Sequence, residues 1–205
     1  MKIFVIGATG HTGVQIIDLG LARGHEMTAF VRSPEKIKRR DARLKIVRGD
    51  PHSVGQLGRA LPGHDVVLSA LGVRPPQAFR PHTLVEECAA SAVTAMSKTG
   101  VTRLGLVSAA VLFPEKGLTF AFFRWLLKHI ARDLSAAEEK VLSSSLDWTI
   151  ARPPRLYNGA DEKYRAERDV LPTGGNAMSF RAVAAFLLEA AEEGSYVREI
   201  VGLAK

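Results

Sequence analysis

A single cysteine, Cys88, in 205 residues excludes an internal disulfide and any metal site assembled from several thiolates. Nothing requires an oxidising compartment, so cytoplasm is the expected location. Long apolar runs are also missing. None approaches the roughly 18 residues needed to cross a bilayer, and no membrane association is expected. The opening Met1-Lys2-Ile3-Phe4-Val5-Ile6-Gly7 is too short for the apolar core of a signal peptide and reads as a first strand. Internal repeats and low-complexity segments are absent, as is any helix-turn-helix or other base-reading element.

What is present is ordinary for a globular chain: 46% hydrophobic and 24% charged residues. The length suits one domain over 1–205, with a sizeable buried core. Twenty-eight basic against 21 acidic side chains leave a charge of +7. Lys36, Lys38, Arg39, Arg40, Arg43, Lys45 and Arg48 crowd one short segment, with Asp41 the only acid among them. Such a surplus suits nucleic acid, a phosphorylated cofactor or a solvated face. Without a base-reading motif, nucleic acid is not expected.

Strand-type and helix-type patterns alternate about six times along the chain. Predicted strands are Lys2–Ile6, Glu26–Val31, Leu44–Val47, Asp65–Leu71, Arg103–Ser108 and Trp148–Ala151, with Glu199–Leu203 as a last one. Predicted helices are Thr12–Arg23 closed by Gly24, Val54–Ala60, Thr83–Lys98 closed by Gly100, Phe120–Ser144, and one capped by Ser179 that runs to about Glu193. From Arg155 to Asn176 the pattern dissolves into a polar stretch. The expected fold is α/β: a doubly wound parallel sheet of Rossmann type with helices on both faces and a small C-terminal cap. The irregular segment 152–178 is expected to contribute to the substrate side.

The strongest motif is Gly7-Ala8-Thr9-Gly10-His11-Thr12-Gly13, directly after the first strand and opening the first helix. Gly7 permits the tight turn, Gly10 lets backbone approach a diphosphate, and Gly13 lets helix pack on strand. Amides at the helix start favour the anion. Thr9 and Thr12 lie in the turn, and the Thr12 hydroxyl suits a phosphate; His11 reads as a turn residue facing solvent.

Strand two ends in Phe30-Val31-Arg32-Ser33, where a chain preferring NAD usually places a carboxylate. Arg32 can fork onto a 2′-phosphate and Ser33 can donate to it, so NADP (NADPH) is the expected cofactor. Three further strand ends complete the groove. Asp50 is either an adenine acceptor or a loop cap. Ala70, Leu71 and Gly72 can lie against the ribose. Ser108, followed by Ala109, ends an apolar strand where nicotinamide should sit. Phe113, Phe120, Phe122, Phe123 and Trp125 form either an aromatic roof over a planar acceptor or ordinary core or a dimer face.

Taken in order, the glycine turn, Val31-Arg32-Ser33-Pro34, Arg48-Gly49-Asp50, Val107-Ser108-Ala109, Lys140-Val141-Leu142 and Asp147-Trp148-Thr149-Ile150-Ala151-Arg152-Pro153 resemble the atypical short-chain dehydrogenase/reductases. More narrowly they are similar to the NmrA-like, NAD(P)-binding group that contains biliverdin reductase B, a flavin reductase, and bacterial NADH-flavin reductases.

Tyrosine-dependent members of that superfamily use a Tyr four residues before a Lys. The matching lysine is Lys140, and the tyrosine position holds Ala136. Tyr157, Tyr164 and Tyr196 are followed four residues later by Asp161, Arg168 and Ile200, so no such pair exists. The resemblance therefore implies a reductase passing a hydride from NADPH to a planar conjugated acceptor, flavin or quinone, whose own electron sink replaces acid–base help. The alternative is a non-catalytic NADP(H)-sensing regulatory protein.

The resemblance further implies that Ser108 places nicotinamide or acceptor. Ser135 stands where relatives carry a pocket histidine, while Lys140 and Pro153 border the cofactor. Arg152 meets an anionic substrate or forms a structural ion pair. The expected state is a monomer or weak homodimer, acting on a small-molecule acceptor with no metal.

Overall fold

The computed structural model describes residues 1–72, 80–114 and 127–205. In chain order its elements are β1 (Lys2–Ile6), α1 (His11–Ala22), β2 (Glu26–Val31), β3 (Leu44–Arg48), α2 (Val54–Ala60), β4 (Val66–Ser69), α3 (Leu84–Thr99) and β5 (Arg103–Val107). Next come α4 (Lys128–Leu142), β6 (Asp147–Arg152), β7 (Arg155–Tyr157), β8 (Arg165–Arg168), β9 (Ala177–Ser179), α5 (Phe180–Glu192) and β10 (Glu199–Ala204). Eight strands form one sheet in the order β3-β2-β1-β4-β5-β6-β10-β8. Every neighbouring pair is parallel except β10 with β8.

Both faces of the sheet are covered, which is why its central strands are apolar throughout rather than alternating. Ile3 and Val5 of β1 face one core with Ile16 of α1 and Phe186 of α5. Phe4 and Ile6 face the other, with Leu57 of α2, Ala92 of α3 and Val141 of α4. The two-residue side-chain period thus feeds two layers from one strand. The α/β doubly wound fold with helices on both faces is the one expected.

Two segments depart from the sequence reading. Residues 155–176 are not irregular throughout. Strand β7 pairs in parallel with β9, and β8 adds to the sheet beside β10. Strands of three or four residues are too short to declare a period, and the Arg-Ala-Glu-Arg of β8 looks polar because it forms a charged sheet edge. The helix expected over 120–144 is described from Lys128 onward. Phe120, Phe122, Phe123 and Trp125 lie outside the described residues.

The N-terminus of α5 is fixed as the sequence suggests. Ser179, fully buried, accepts from the Ala182 amide at 2.8 Å and donates to the Asp161 carbonyl at 2.6 Å. Ser179→Ala removes both bonds, and a loss of about 1–2 kcal/mol is expected. It should appear as a lower urea midpoint with an unchanged far-ultraviolet spectrum. An unaltered midpoint would show that water replaces the cap at no cost.

Candidate active site

Parallel pairing brings the carboxyl ends of β1, β2, β3, β4, β5 and β6 to one edge of the sheet. The order reverses between β1 and β4, where a doubly wound sheet opens a crevice. The glycine turn lies at this point. Gly7 has φ +82°, and a Cβ there would stand 2.7 Å from the Ala70 carbonyl oxygen. A Cβ on Gly13 would stand 2.2 Å from the Gly7 oxygen, so only glycine lets α1 start this close to β1. The Gly10 amide donates to that same oxygen at 2.9 Å, and Gly10, as the N-cap residue of α1, has no side chain to cap it.

From this turn a cleft of about 550 Å³ runs over the ends of β4 and β5. Gly10, His11, Thr12, Ala70, Leu71, Gly72 and Ser108 all line it, as separate stretches of sequence brought together by the fold. Much of its remaining wall is apolar, from Val85, Val107, Ile130, Leu134 and Leu156. The ring of His11 stacks on Phe180, with centroids 4.8 Å apart and planes at 21°, so this residue is part of the wall. Ser108 is 6% exposed and its Oγ has no hydrogen-bond partner among the described residues.

A second recess, of about 370 Å³, is lined by Arg32, Arg48, Gly49, Asp50 and Gln56. Both guanidinium groups belong to exposed residues, at the ends of β2 and β3. Ser33 starts a short 3₁₀ turn and accepts from the Lys36 amide through its carbonyl. Asp50 serves its own turn: Oδ1 lies 2.9 Å from His52 Nδ1 and accepts from the His52 amide at 3.1 Å. The His52 side chain, then its amide, hold the Asp50 carboxyl below its ordinary range, and Arg32 adds to this. Gly49 has a separate task, since a Cβ there would fall 2.1 Å from the Phe30 ring.

Several expected residues lie elsewhere. Ser135 is exposed on α4, in a stripe with Arg132 and Glu139, whereas Asp133 and Leu134 of the same helix reach the cleft. A register counted along the sequence from Lys140 could not reveal which stripe faces inward. Lys140 is exposed too, its Nζ 3.7 Å from Glu86, and it does not line the cleft. Pro153 is buried and acts through its carbonyl, which accepts from the Ala110 amide at 2.8 Å. Ala109 packs against the core shared by α2, α3 and α4. Thr9 lies in the glycine turn, outside the residues that line the cleft.

Arg152 resolves to the ion pair. Its Nε and Nη2 donate to Glu138 at 3.0 and 2.5 Å, and its guanidinium lies 4.8 Å from the centre of the buried Phe113 ring. Both charges are largely buried and satisfied by one another, leaving none for a substrate. Phe113 is thus core beside an arginine.

Sequence reasoning missed His82 and Asp133. The Asp133 side chain is fully buried and meets two amides at the start of α3 and the ring of His82 just before it. The Val85 amide donates to Oδ2 at 3.0 Å and the Glu86 amide to Oδ1 at 2.9 Å, while His82 Nδ1 lies 2.8 Å from Oδ2. A carboxylate from α4 therefore caps α3, the helix before it, where Thr83 makes no side-chain cap of its own. No local motif announces a cap donated from 47 or 48 residues away.

Residues 7–194 match the model of a family described as NAD(P)H-binding. An uncharacterized chloroplastic protein of Arabidopsis thaliana is 32% identical over 168 residues, which is 77% of this chain and 60% of that protein. The chain thus spans less than two thirds of that relative's length. Among solved structures, the oxidoreductase ylbE from Lactococcus lactis superposes with a TM-score of 0.84 at 20% identity, covering 100% of this chain and 91% of that one. A short-chain dehydrogenase/reductase from Veillonella parvula in complex with NADP gives 0.81 at 21%, covering 100% and 94%. At these identities the superpositions establish the fold.

Two expectations follow from the site. Gly13→Ala drives a methyl into the Gly7 carbonyl, so α1 must shift. A loss of about 1–3 kcal/mol is expected, read as a lower thermal midpoint. An unchanged midpoint would mean the helix start is less constrained than its geometry indicates. The Cys88 thiol is pushed up to about 12, chiefly by burial. Its thiolate is then scarce at neutral pH, so a disulfide reagent should label Cys88 only when denaturant is added. Rapid labelling of the native protein would contradict this.

Proposed function

The chain belongs to the NAD(P)H-binding family, and on that premise we propose that it is an NADPH-dependent reductase acting on a planar conjugated acceptor of flavin or quinone type. The observation that carries this reading is the cleft: an apolar slot beginning at the glycine turn, with the Ser108 Oγ just past β5 buried and unpartnered among the described residues. An unpaired hydroxyl in such a wall calls for a ligand atom. Leu71, Val107 and Leu134 offer flat apolar contact, and aligning and drying a conjugated ring is most of what hydride transfer to such an acceptor needs.

The glycine turn fits a dinucleotide, because a Cβ at Gly7 or Gly13 would close it and the N-cap of α1 is itself a glycine. Gly7, Thr9, Gly10, Thr12 and Gly13 would hold the diphosphate, with Ala70, Leu71 and Gly72 against the adjoining ribose. Ser108 would orient the nicotinamide or the acceptor. When bound, the cofactor supplies the hydride. Arg32 and Arg48 favour the 2′-phosphate over a bare hydroxyl, since no carboxylate ends β2 and Asp50 is held by His52. The Veillonella structure with NADP supports this preference. The motif likeness to flavin reductases, together with the missing Tyr-xxx-Lys pair, supports the class of acceptor.

Loss of NADPH absorbance, measured with FMN, riboflavin and menadione against NADH controls, tests the proposal. Turnover with at least one acceptor, faster with NADPH, is expected. Arg32→Ala should lower the NADPH/NADH preference in kcat/KM about tenfold by removing a charge-assisted fork. An unchanged ratio would remove Arg32 from the selectivity. Tight NADPH binding without reduction of any acceptor would leave cofactor sensing without catalysis as the function.

A further inference from the structure

Four buried side-chain polar atoms have no hydrogen-bond partner among the described residues: His82 Nε2, Ser108 Oγ, Asp161 Oδ1 and Ser195 Oγ. The first two belong to residues that line the same cleft. Buried polar atoms are nearly always satisfied, so two orphans in the walls of one apolar slot point to a polar atom of whatever fills it.

The two are not equivalent. His82 is anchored on its other side: Nδ1 lies 2.8 Å from Asp133 Oδ2, and Asp133 is itself fixed by two amides of α3. An acceptor-only carboxylate there requires the proton on Nδ1, which leaves Nε2 for a ligand. The segment carrying His82 could be tied down through Nδ1 alone, and that role gives no reason for Nε2 to be buried without a partner. The arrangement of carboxylate, imidazole and open nitrogen is the one by which proteins orient a general acid–base.

We propose that His82 is the residue that binds and protonates the acceptor, and that the acceptor accordingly carries a conjugated carbonyl oxygen, as a quinone does. The assignment rests on the reductase reading above. In that reaction the acceptor gains two electrons and a hydrogen from reduced nicotinamide, which leaves a negative charge on its carbonyl oxygen. With a second proton taken from solvent onto Nε2, the ring is the acid: that N–H bond breaks, an O–H bond forms on the acceptor oxygen, and the ring is left neutral with its Nδ1–H. Solvent returns the proton. Asp133 holds Nδ1–H throughout and positions the ring. This places the polar group on the α3 side of the cleft, whereas counting along α4 points to the exposed Ser135.

The test uses the full chain with NADPH and menadione, comparing wild type with His82→Ala and His82→Gln. Both variants should keep NADPH affinity within about twofold, because His82 lies outside the glycine turn, and should lose about 10²-fold in kcat. Added imidazole should restore part of the rate of His82→Ala, which a merely structural tie would not allow. Binding of menadione in the presence of NADP⁺, where no reduction can occur, should weaken in both variants.

Wild-type kcat and menadione affinity in either variant would overturn the assignment and leave the reductase reading standing. A loss of rate that imidazole does not restore, with menadione affinity intact, would also overturn it and reduce His82 to a structural tie. Absence of menadione turnover in the wild type would overturn the protonation step, and if FMN and riboflavin also went unreduced it would overturn the reductase reading with it.

Discussion

The contact on which the rest depends is the one between the start of α1 and the end of β1. Gly13 lies so close to the Gly7 carbonyl that no side chain fits between them. That closeness lets Gly7 turn sharply beneath the Ala70–Leu71 peptide and brings β1 and β4 together at the point where the strand order reverses. The cleft begins there, and the same turn carries Gly10, His11 and Thr12 into its wall. A helix set further out would have room for a Cβ and would leave no tight corner for a diphosphate.

The far side of the cleft is built on a different principle. Among the described residues no arginine or lysine is bonded to the buried Asp133, in contrast to Glu138, which has Arg152. Amides at the start of α3, with the His82 ring, take the place of an arginine or lysine, using donors that a helix N-terminus leaves unpaired in any case. One carboxylate thereby joins α3 to α4 and fixes the ring of His82. Stability and site geometry share the same bonds, so removing Asp133 would disturb both. This is why the informative variants lie at His82 and not at its anchor.

Electrostatics divides the molecule along the sheet edge. The recess between Arg32 and Arg48 is exposed and basic, while the slot bordered by Ser108 is mostly apolar. A ligand that spans both would keep its charges in the solvated part and its ring in the apolar part. The large surplus of lysine and arginine between 36 and 48 falls mostly on exposed positions, and only Arg48 among those residues lines the recess.

The sequence by itself determined the parallel strands of the sheet and the glycine turn. Apolar runs such as Val66–Ser69 and glycines at 7, 10 and 13 are local signals, because burial on both faces and a forbidden Cβ each act on neighbouring residues. The cap at Ser179 was legible for the same reason. The short strands β7 and β8 were not, since three or four residues acquire their conformation from a partner strand distant in the chain. Nor was the inner wall of the cleft. Whether Ser135 or Asp133 faces it depends on how α4 is rotated against its neighbours, and the bond from Asp133 to His82 spans 51 residues. Only packing decides such a rotation, because a helix sequence fixes which residues share a stripe but not what the stripe will meet.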